Sequence, residues 1–404
     1  MGHPLDDPLV ERMRGYGTTI FAEMTALAQQ TGAVNLGQGF PDTDGPNAML
    51  EQAVDAIRGG LNQYPPGLGL PPLRQAIAAH RKARYGLTYD PDSEVFVTVG
   101  ATEAISASVL ALCEAGDEVV VLEPYYDSYA AALSLAGAVR RSVPLRPESE
   151  VGRFTFDPEE LRAAVTERTR VILLNSPHNP TGTALTVDEL QHIADVAIER
   201  DLIVLTDEVY EHLTFDDVVH VPIATLPGMR ERTVSVSSAG KTFSVTGWKV
   251  GWICAPAPMI RAVNTVKQFM TFTHSGPMQL AVAHGLSREM EWVEALRSSL
   301  QMRRDRLAEG LEAVGLAVHR PQATYFIQAD VRPLGIDDGE AFARALPHDA
   351  GVVGIPTAVF CDHPEVGRPF VRFAFCKRDD VLDEAVSRLT AYAVRRRATE
   401  ARSQ

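Results

Sequence analysis

The chain has 404 residues, of which 45% are apolar and 22% charged, with a formal net charge of −14. This is the make-up of an ordinary globular protein long enough for two or three domains, which excludes a disordered chain or a disulfide-stapled miniprotein. So acidic a chain repels a nucleic-acid backbone or an anionic membrane surface, and neither partner is expected.

In chain order, the N-terminal segment MGHPLDDPLVERMRGYG lacks a basic flank followed by an apolar core, and no run of about 18 apolar residues occurs anywhere, so a cytoplasmic protein is expected. A helix is predicted over Thr19–Gln30, followed by a Gly/Pro-rich turn. From about residue 95 to 255, short β-branched runs alternate with stretches of helical period. The runs are Val95–Val99, Val119–Leu122, Val171–Leu174, Ile203–Thr206, Thr233–Val236 and Val250–Cys254; the helical stretches include Thr102–Glu114 and Val187–Arg200. That alternation predicts an α/β domain whose mostly parallel sheet is covered on both faces. The remainder changes character, with a long helical stretch over Gly276–Gly315 and strand-like segments at Tyr325–Ala329, Gly351–Ile355 and Phe370–Phe375. The expected division is a large α/β domain of residues 46–285 and a smaller α+β domain built from residues 1–45 and 286–404.

Cysteine and lysine are both sparse. Cys113, Cys254, Cys361 and Cys376 form no CxxC pair and no His/Cys ligand spacing, so they read as buried hydrophobes in a reducing compartment and no metal site is expected. Lysine occurs only at Lys82, Lys241, Lys249, Lys267 and Lys377, the remaining cations being arginine. A lysine in such a chain draws attention to what arginine cannot do, which is to lose its proton and attack a carbonyl.

Five motifs sit at the ends of predicted strands, where open α/β sheets place ligands. VTVGATEAIS runs a strand through Gly100 into a helix, so the N–H groups of Ala101 and Thr102 either face an anion or form a tight turn. LLNSPHNPTG fixes an irregular turn in which Asn179 meets a ligand oxygen or caps its own backbone. IVLTDEVYEH ends an apolar strand on Asp207, with Tyr210 three residues on; a carboxylate there needs a cation or strong donor, whether structural or ligand-borne. SVSSAGKTFSVTGWKVGW places Lys241 and Lys249 among small residues and glycines, a setting that admits a bulky group and favours the neutral amine needed for a Schiff base. PFVRFAFCKR puts Val371, Phe373 and Phe375 on one strand face and Arg372 on the other, either solvated or gripping a substrate carboxylate.

Together with NLGQGFPD, LNQYPPGLG and EPYYDSY, these motifs make the chain resemble, over about residues 15–385, the pyridoxal-phosphate-dependent aminotransferases of class I/II, which share the aspartate aminotransferase fold. Within them it resembles the kynurenine/glutamine transaminase branch and actinobacterial N-succinyldiaminopimelate aminotransferases. The resemblance implies the fold type I architecture of pyridoxal-phosphate transferases: a mixed, mostly parallel sheet flanked by helices, plus a smaller α+β domain. It also implies pyridoxal 5′-phosphate as cofactor, amino acids and 2-oxo acids as substrates, and a homodimer. By the same resemblance Lys241 would carry the cofactor as a Schiff base and shuttle the proton, and Asp207 would keep the pyridine nitrogen protonated. Tyr210 and Asn179 would bond the cofactor's phenolic oxygen, and Tyr126 would stack on its ring. Ala101, Thr102, Ser238 and Lys249 would bind the phosphate with Tyr64 from a neighbouring subunit, and Arg372 with the backbone at Gly39 would grip the α-carboxylate.

Departures from the pattern bear on the substrate side chain: Phe21 stands where the kynurenine branch has a tryptophan near the N-terminus, Thr102 fills a phosphate-side position often held by tyrosine, and Gly240 and Thr242 stand where bulkier residues are expected from the actinobacterial enzymes. Phe21, Tyr64, Tyr126, Phe272 and His274 are the expected side-chain contacts, a set suited to aromatic, methionine or glutamine donors. A succinylated diaminopimelate would need a further anion-binding group. Two other readings share the scaffold: a cysteine-S-conjugate β-lyase, and a ligand-sensing regulator, which the short segment before the first motif and the acidic charge disfavour.

Overall fold

The computed structural model describes residues 8–150 and 152–403, and the side chains of these up to residue 398. Its central sheet has seven strands in the spatial order Val95–Val99, Val250–Cys254, Thr233–Ser238, Ile203–Asp207, Thr169–Asn175, Glu118–Glu123 and Val139–Pro144. Val250–Cys254 runs antiparallel to both of its neighbours and every other pair is parallel, so the sheet is mixed and mostly parallel. Six strands match the apolar runs of the sequence. The seventh, Val139–Pro144, is an edge strand whose outward Arg140 and Arg141 interrupt the apolar pattern, and its signature is correspondingly faint.

Helices cover both faces, as alternating strands and helices require. Gly100–Leu112, Asp127–Ala136 and Ala257–Lys267 lie on one face, where Ile105, Val109, Leu133 and Val263 pack against Phe96, Val121 and Ile253. Asn47–Arg58, Pro71–Tyr85 and Gly276–Arg288 cover part of the other, around Met49, Leu73, Ile77 and Trp252. Val187–Glu199 covers the rest, opened by a capping box in which Thr186 and Glu189 satisfy each other's backbone N–H.

The second sheet is antiparallel throughout, in the order Ala317–His319, Phe326–Asp330, Phe370–Ala374, Ile355–Pro356. Helices Met290–Val314, Gly339–Asp349 and Asp379–Ser403 accompany it, sharing a core that contains Leu307, Leu311, Phe342, Leu346, Leu382 and Leu389. Val34–Asn35 pairs in parallel with Val352–Val353, which carries the residues that follow, Gly37 to Phe40, to the neighbourhood of Arg372.

Two elements differ from their sequence expectation. The stretch Gly276–Gly315 is two helices, Gly276–Arg288 and Met290–Val314, separated at Glu289. The first packs on the large sheet and the second turns to the small one, and an apolar period that continues across the break hides it. The expected strand Gly351–Ile355 is split because it changes partner: Val352–Val353 pairs with the N-terminal segment, and Ile355–Pro356 with Arg372 and Val371.

A buried ion pair stiffens the segment that leaves the middle of the large sheet. Arg81, on helix Pro71–Tyr85, donates from Nη1 to Glu208 Oε2 at 2.8 Å and to Glu211 Oε2 at 3.2 Å, and the Tyr85 hydroxyl donates to the same Glu211 oxygen at 2.7 Å. Glu208 and Glu211 flank Tyr210 and follow Asp207, so this clamp fixes both site residues from behind. Removing one partner of a buried pair strands the other's charge, so Arg81→Met should lower the unfolding free energy by about 3–5 kcal/mol in urea titrations at pH 7. A loss below about 1 kcal/mol would show that water or a rearranged partner takes the arginine's place.

Candidate active site

The site forms where parallel strands end. Register pairs Asn175 with Asp207 at the carboxyl ends of their strands, and Thr233–Ser238 leads directly into the four-residue helix Ala239–Thr242 that carries Lys241. Around these residues lies a cavity of about 310 Å³.

Asp207 is 5% exposed. Its Oδ2 accepts from the Tyr129 hydroxyl at 2.7 Å and its Oδ1 from the Val209 N–H at 3.2 Å. Burial lifts its pKa to about 6, against the opposing effect of those two donors. Lys241 stands across the cavity, where burial lowers its pKa to about 8. Its Nζ donates to the Tyr325 hydroxyl at 2.7 Å and to the Gly39 carbonyl at 3.3 Å. Desolvation thus acts on both groups, disfavouring charge on each, so that the carboxylate's pKa rises towards physiological pH and the amine's falls towards it.

Arg372 is buried in the strand Phe370–Ala374, where the sequence left a solvated guanidinium as one reading. Its Nη1 donates to Asn179 Oδ1 at 3.1 Å and its Nη2 to the Gly37 carbonyl at 3.0 Å, while the guanidinium carbon lies 4.0 Å from the centre of the Phe326 ring. Nε has no partner among the described residues. Asn179 is itself held by the turn: Asn175 Oδ1 accepts its N–H at 2.8 Å, and Asn175 Nδ2 donates to the Asp207 carbonyl at 2.9 Å.

At the opposite end, Gly100 opens the helix Gly100–Leu112 at φ +75°, a conformation that glycine adopts without penalty. A Cβ on Gly251 would fall 2.5 Å from the Gly100 carbonyl carbon, so this strand passes directly beneath the turn. The first N–H groups of the helix have no intrahelical acceptor, and Ala101, Thr102, Ser238 and Lys249 line the cavity beside them. Glu103 accepts the Val99 N–H at 2.6 Å and fixes the turn from below. Behind Lys241, His80 Nε2 and His212 Nε2 are 2.9 Å apart, His212 Nδ1 lies 3.2 Å from Thr242 Oγ1, and Thr242 donates to the Ser238 carbonyl. Glu211 joins this cluster, but its oxygens are occupied by Arg81, Tyr85 and Ser237, so the group is a hydrogen-bonded wall.

Of the residues singled out in the sequence, Phe21, Gly39, Ala101, Thr102, Tyr126, Asn179, Asp207, Tyr210, Ser238, Lys241, Lys249 and Arg372 all line this one cavity. Tyr64 does not: it is 83% exposed, edge-on to Phe272 at 5.4 Å. Phe272 and His274 are also absent from the lining, and the His274 ring nitrogens face the carbonyls of Ser275 and Trp248. Sequence reasoning missed Tyr129, Asn175, Tyr325 and Phe326. Tyr129 follows Tyr126 at helical spacing in EPYYDSY, a legible signal; Tyr325 and Phe326 are hidden in a segment that reads only as an apolar strand.

The family model for aminotransferase class I and II matches residues 31–389. A probable N-succinyldiaminopimelate aminotransferase of Mycobacterium tuberculosis is 55% identical over 96% of this chain and 99% of its own length. The structure of the N-succinyldiaminopimelate aminotransferase from Mycobacterium tuberculosis superposes with a TM-score of 0.93, covering 95% of this chain and all of that one. A methionine aminotransferase of Escherichia coli is 39% identical over 95% of this chain and 99% of its own length. Mouse kynurenine–oxoglutarate transaminase 3 is 38% identical over 93% of this chain and 88% of its own length.

The raised pKa of Asp207 makes a prediction about stability. Above the unfolded value near 3.8 the unfolded chain releases this proton more readily than the folded one, so the group costs stability progressively as pH rises to about 6 and a constant amount beyond. Asp207→Asn keeps an acceptor for the Tyr129 hydroxyl without the charge. In the cofactor-free protein it should be more stable than the parent by about 3 kcal/mol at pH 8 and by little at pH 4, read from denaturant midpoints. Equal stability at both pH values would contradict the burial argument.

Proposed function

This chain belongs to the class I and II aminotransferases and is an aminotransferase, and on that premise we propose that it binds pyridoxal 5′-phosphate in the cavity and moves an amino group from an L-amino acid to a 2-oxo acid in two successive half-reactions. The observation that carries this reading is the convergence of an amine of lowered pKa, a buried carboxylate and an anion cradle on one cavity that also holds a buried arginine.

The residues present fit that cofactor. Ala101, Thr102, Ser238 and Lys249 would hold the phosphate, the Lys249 side chain packing over Gly100 so closely that a Cβ there would fall 3.0 Å from its Cε. Tyr126 offers a ring to stack on, and Tyr210 and Asn179 offer donors at the same wall. When bound, the cofactor supplies a carbonyl carbon for the amino group and a protonated ring that accepts the electron pair released at the substrate Cα. Asp207 holds the proton on that ring nitrogen, and the Tyr129 hydroxyl orients the carboxylate to do so. Lys241, a neutral amine in a large fraction of molecules near pH 8, takes the proton from the substrate Cα and returns it. Arg372 receives the α-carboxylate of each substrate in turn, its unpartnered Nε and stacked guanidinium supplying both charge and a fixed plane.

For the donor we propose an N-succinyldiaminopimelate-type amino acid, the substrate class in the printed name of the Mycobacterium tuberculosis relative. Phe21 and Tyr126 line both the cavity and an adjoining groove of about 950 Å³ that also contains Arg12, Arg140 and Arg344. Arg140 is engaged by Asp362 and Arg344 by Glu23 and Glu340, whereas Arg12 makes no ion pair among the described residues. Arg12 therefore supplies the further cation that a long, distally anionic side chain requires. We also propose a homodimer in which Tyr64, exposed and edge-on to the exposed Phe272, reaches the partner's phosphate site. No helix among the described residues is long and apolar enough to cross a membrane, and we propose the cytoplasm as its location.

Assaying succinyl-diaminopimelate, methionine, kynurenine and glutamine against 2-oxoglutarate and pyruvate tests the donor assignment. The succinylated donor should give the highest kcat/KM, and a preference for methionine or kynurenine by a factor of ten would reverse it. Arg372→Ala should lower kcat/KM by about a hundredfold or more for donor and acceptor alike, since each charge-assisted bond contributes about 1.5–3 kcal/mol. Arg12→Ala should raise KM for the succinylated donor alone, leaving methionine unaffected.

A further inference from the structure

Tyr325 has no role in the reading above, yet its hydroxyl meets the reacting amine. The residue is fully buried just before the strand Phe326–Asp330. Its Oη accepts from Lys241 Nζ at 2.7 Å and donates to the Gly39 carbonyl at 2.5 Å, while Nζ also reaches the Gly39 carbonyl at 3.3 Å. The Tyr210 ring stands edge-on to the same phenol, centroids 5.2 Å apart. Phenylalanine would fill this apolar position equally well, so packing does not account for the hydroxyl, and its partners are the groups that matter for proton transfer.

We propose that Tyr325 is a catalytic residue that receives the Lys241 amine once a substrate amine has displaced it, and holds it as it carries the transferred proton. The proposal rests on Lys241 being the lysine that captures the cofactor. The freed amine gains one proton from the substrate Cα and becomes an ammonium with three N–H donors. Tyr325 Oη and the Gly39 carbonyl accept two of them, and the third returns the same proton, so the lysine ends the half-reaction neutral. Because the Gly37 carbonyl binds Arg372 in the same segment, the phenol also joins the proton carrier to the chain that flanks the substrate carboxylate.

Cofactor-free protein reports this contact independently of turnover. Capture of pyridoxal 5′-phosphate, followed by absorbance against pH, has a midpoint set by the fraction of neutral Lys241. Removing an acceptor of the ammonium disfavours the charged form, so Tyr325→Phe should shift that midpoint down by about one pH unit. Site-specific 3-fluorotyrosine, a weaker acceptor of nearly the same shape, should shift it in the same direction by less. In the loaded enzyme, Tyr325→Phe should enlarge the isotope effect of a Cα-deuterated donor. A midpoint that stays or rises in Tyr325→Phe overturns the proposal, as does an unchanged isotope effect; if that variant does not fold, an unmoved midpoint in the fluorotyrosine protein decides it in the same way. Capture that survives Lys241→Ala instead overturns the assignment of the lysine itself.

Discussion

Desolvation of two opposite charges at the end of a parallel sheet is the constraint from which the site follows. Strands buried on both faces carry Asp207 and the Lys241 helix into a region with little water, where each group's charged form is disfavoured. A carboxylate so placed needs the Tyr129 hydroxyl, and an amine so placed is within reach of its neutral form at physiological pH. The same burial that makes the Asp207 charge costly in the cofactor-free protein would make it a strong partner for a protonated ring nitrogen, so stability is conceded where chemistry needs the charge.

Around that pair the two sheets divide the work. The large sheet supplies the carboxylate, the amine and the anion cradle; the small sheet supplies Arg372 and Phe326 from neighbouring antiparallel strands, with Tyr325 just before the second. The segment Gly37–Phe40 crosses between them, its carbonyls meeting Arg372 at Gly37 and Lys241 with Tyr325 at Gly39. A shift of this segment therefore moves carboxylate recognition and the proton carrier together.

Much of this was legible in the sequence because the large sheet writes its strands as unbroken apolar runs and ends them on polar residues. Asp207 and Gly100 sit where such runs end, Asn179 and Lys241 lie in the short polar or glycine-containing segments that follow strands, and all prove to face one cavity. Residues whose polar atom rides on an apolar frame left no such mark: Tyr325 follows core spacing, and only the fold shows its hydroxyl against Lys241. Arg372 was legible as a cation but not as a buried one, because strand alternation cannot tell a second covered face from a solvated face. Phe272, expected among the side-chain contacts, lies outside the cavity lining of its own chain, edge-on to Tyr64, the residue assigned to a neighbouring subunit's site.

The central claim is that the Lys241 amine is the covalent anchor in this cavity. Borohydride reduction of the protein loaded with pyridoxal 5′-phosphate, followed by peptide mass spectrometry, tests it most directly. The account predicts one phosphopyridoxyl group per chain, on the peptide containing Lys241; modification of Lys249, Lys267 or any other lysine with Lys241 unmodified would contradict it.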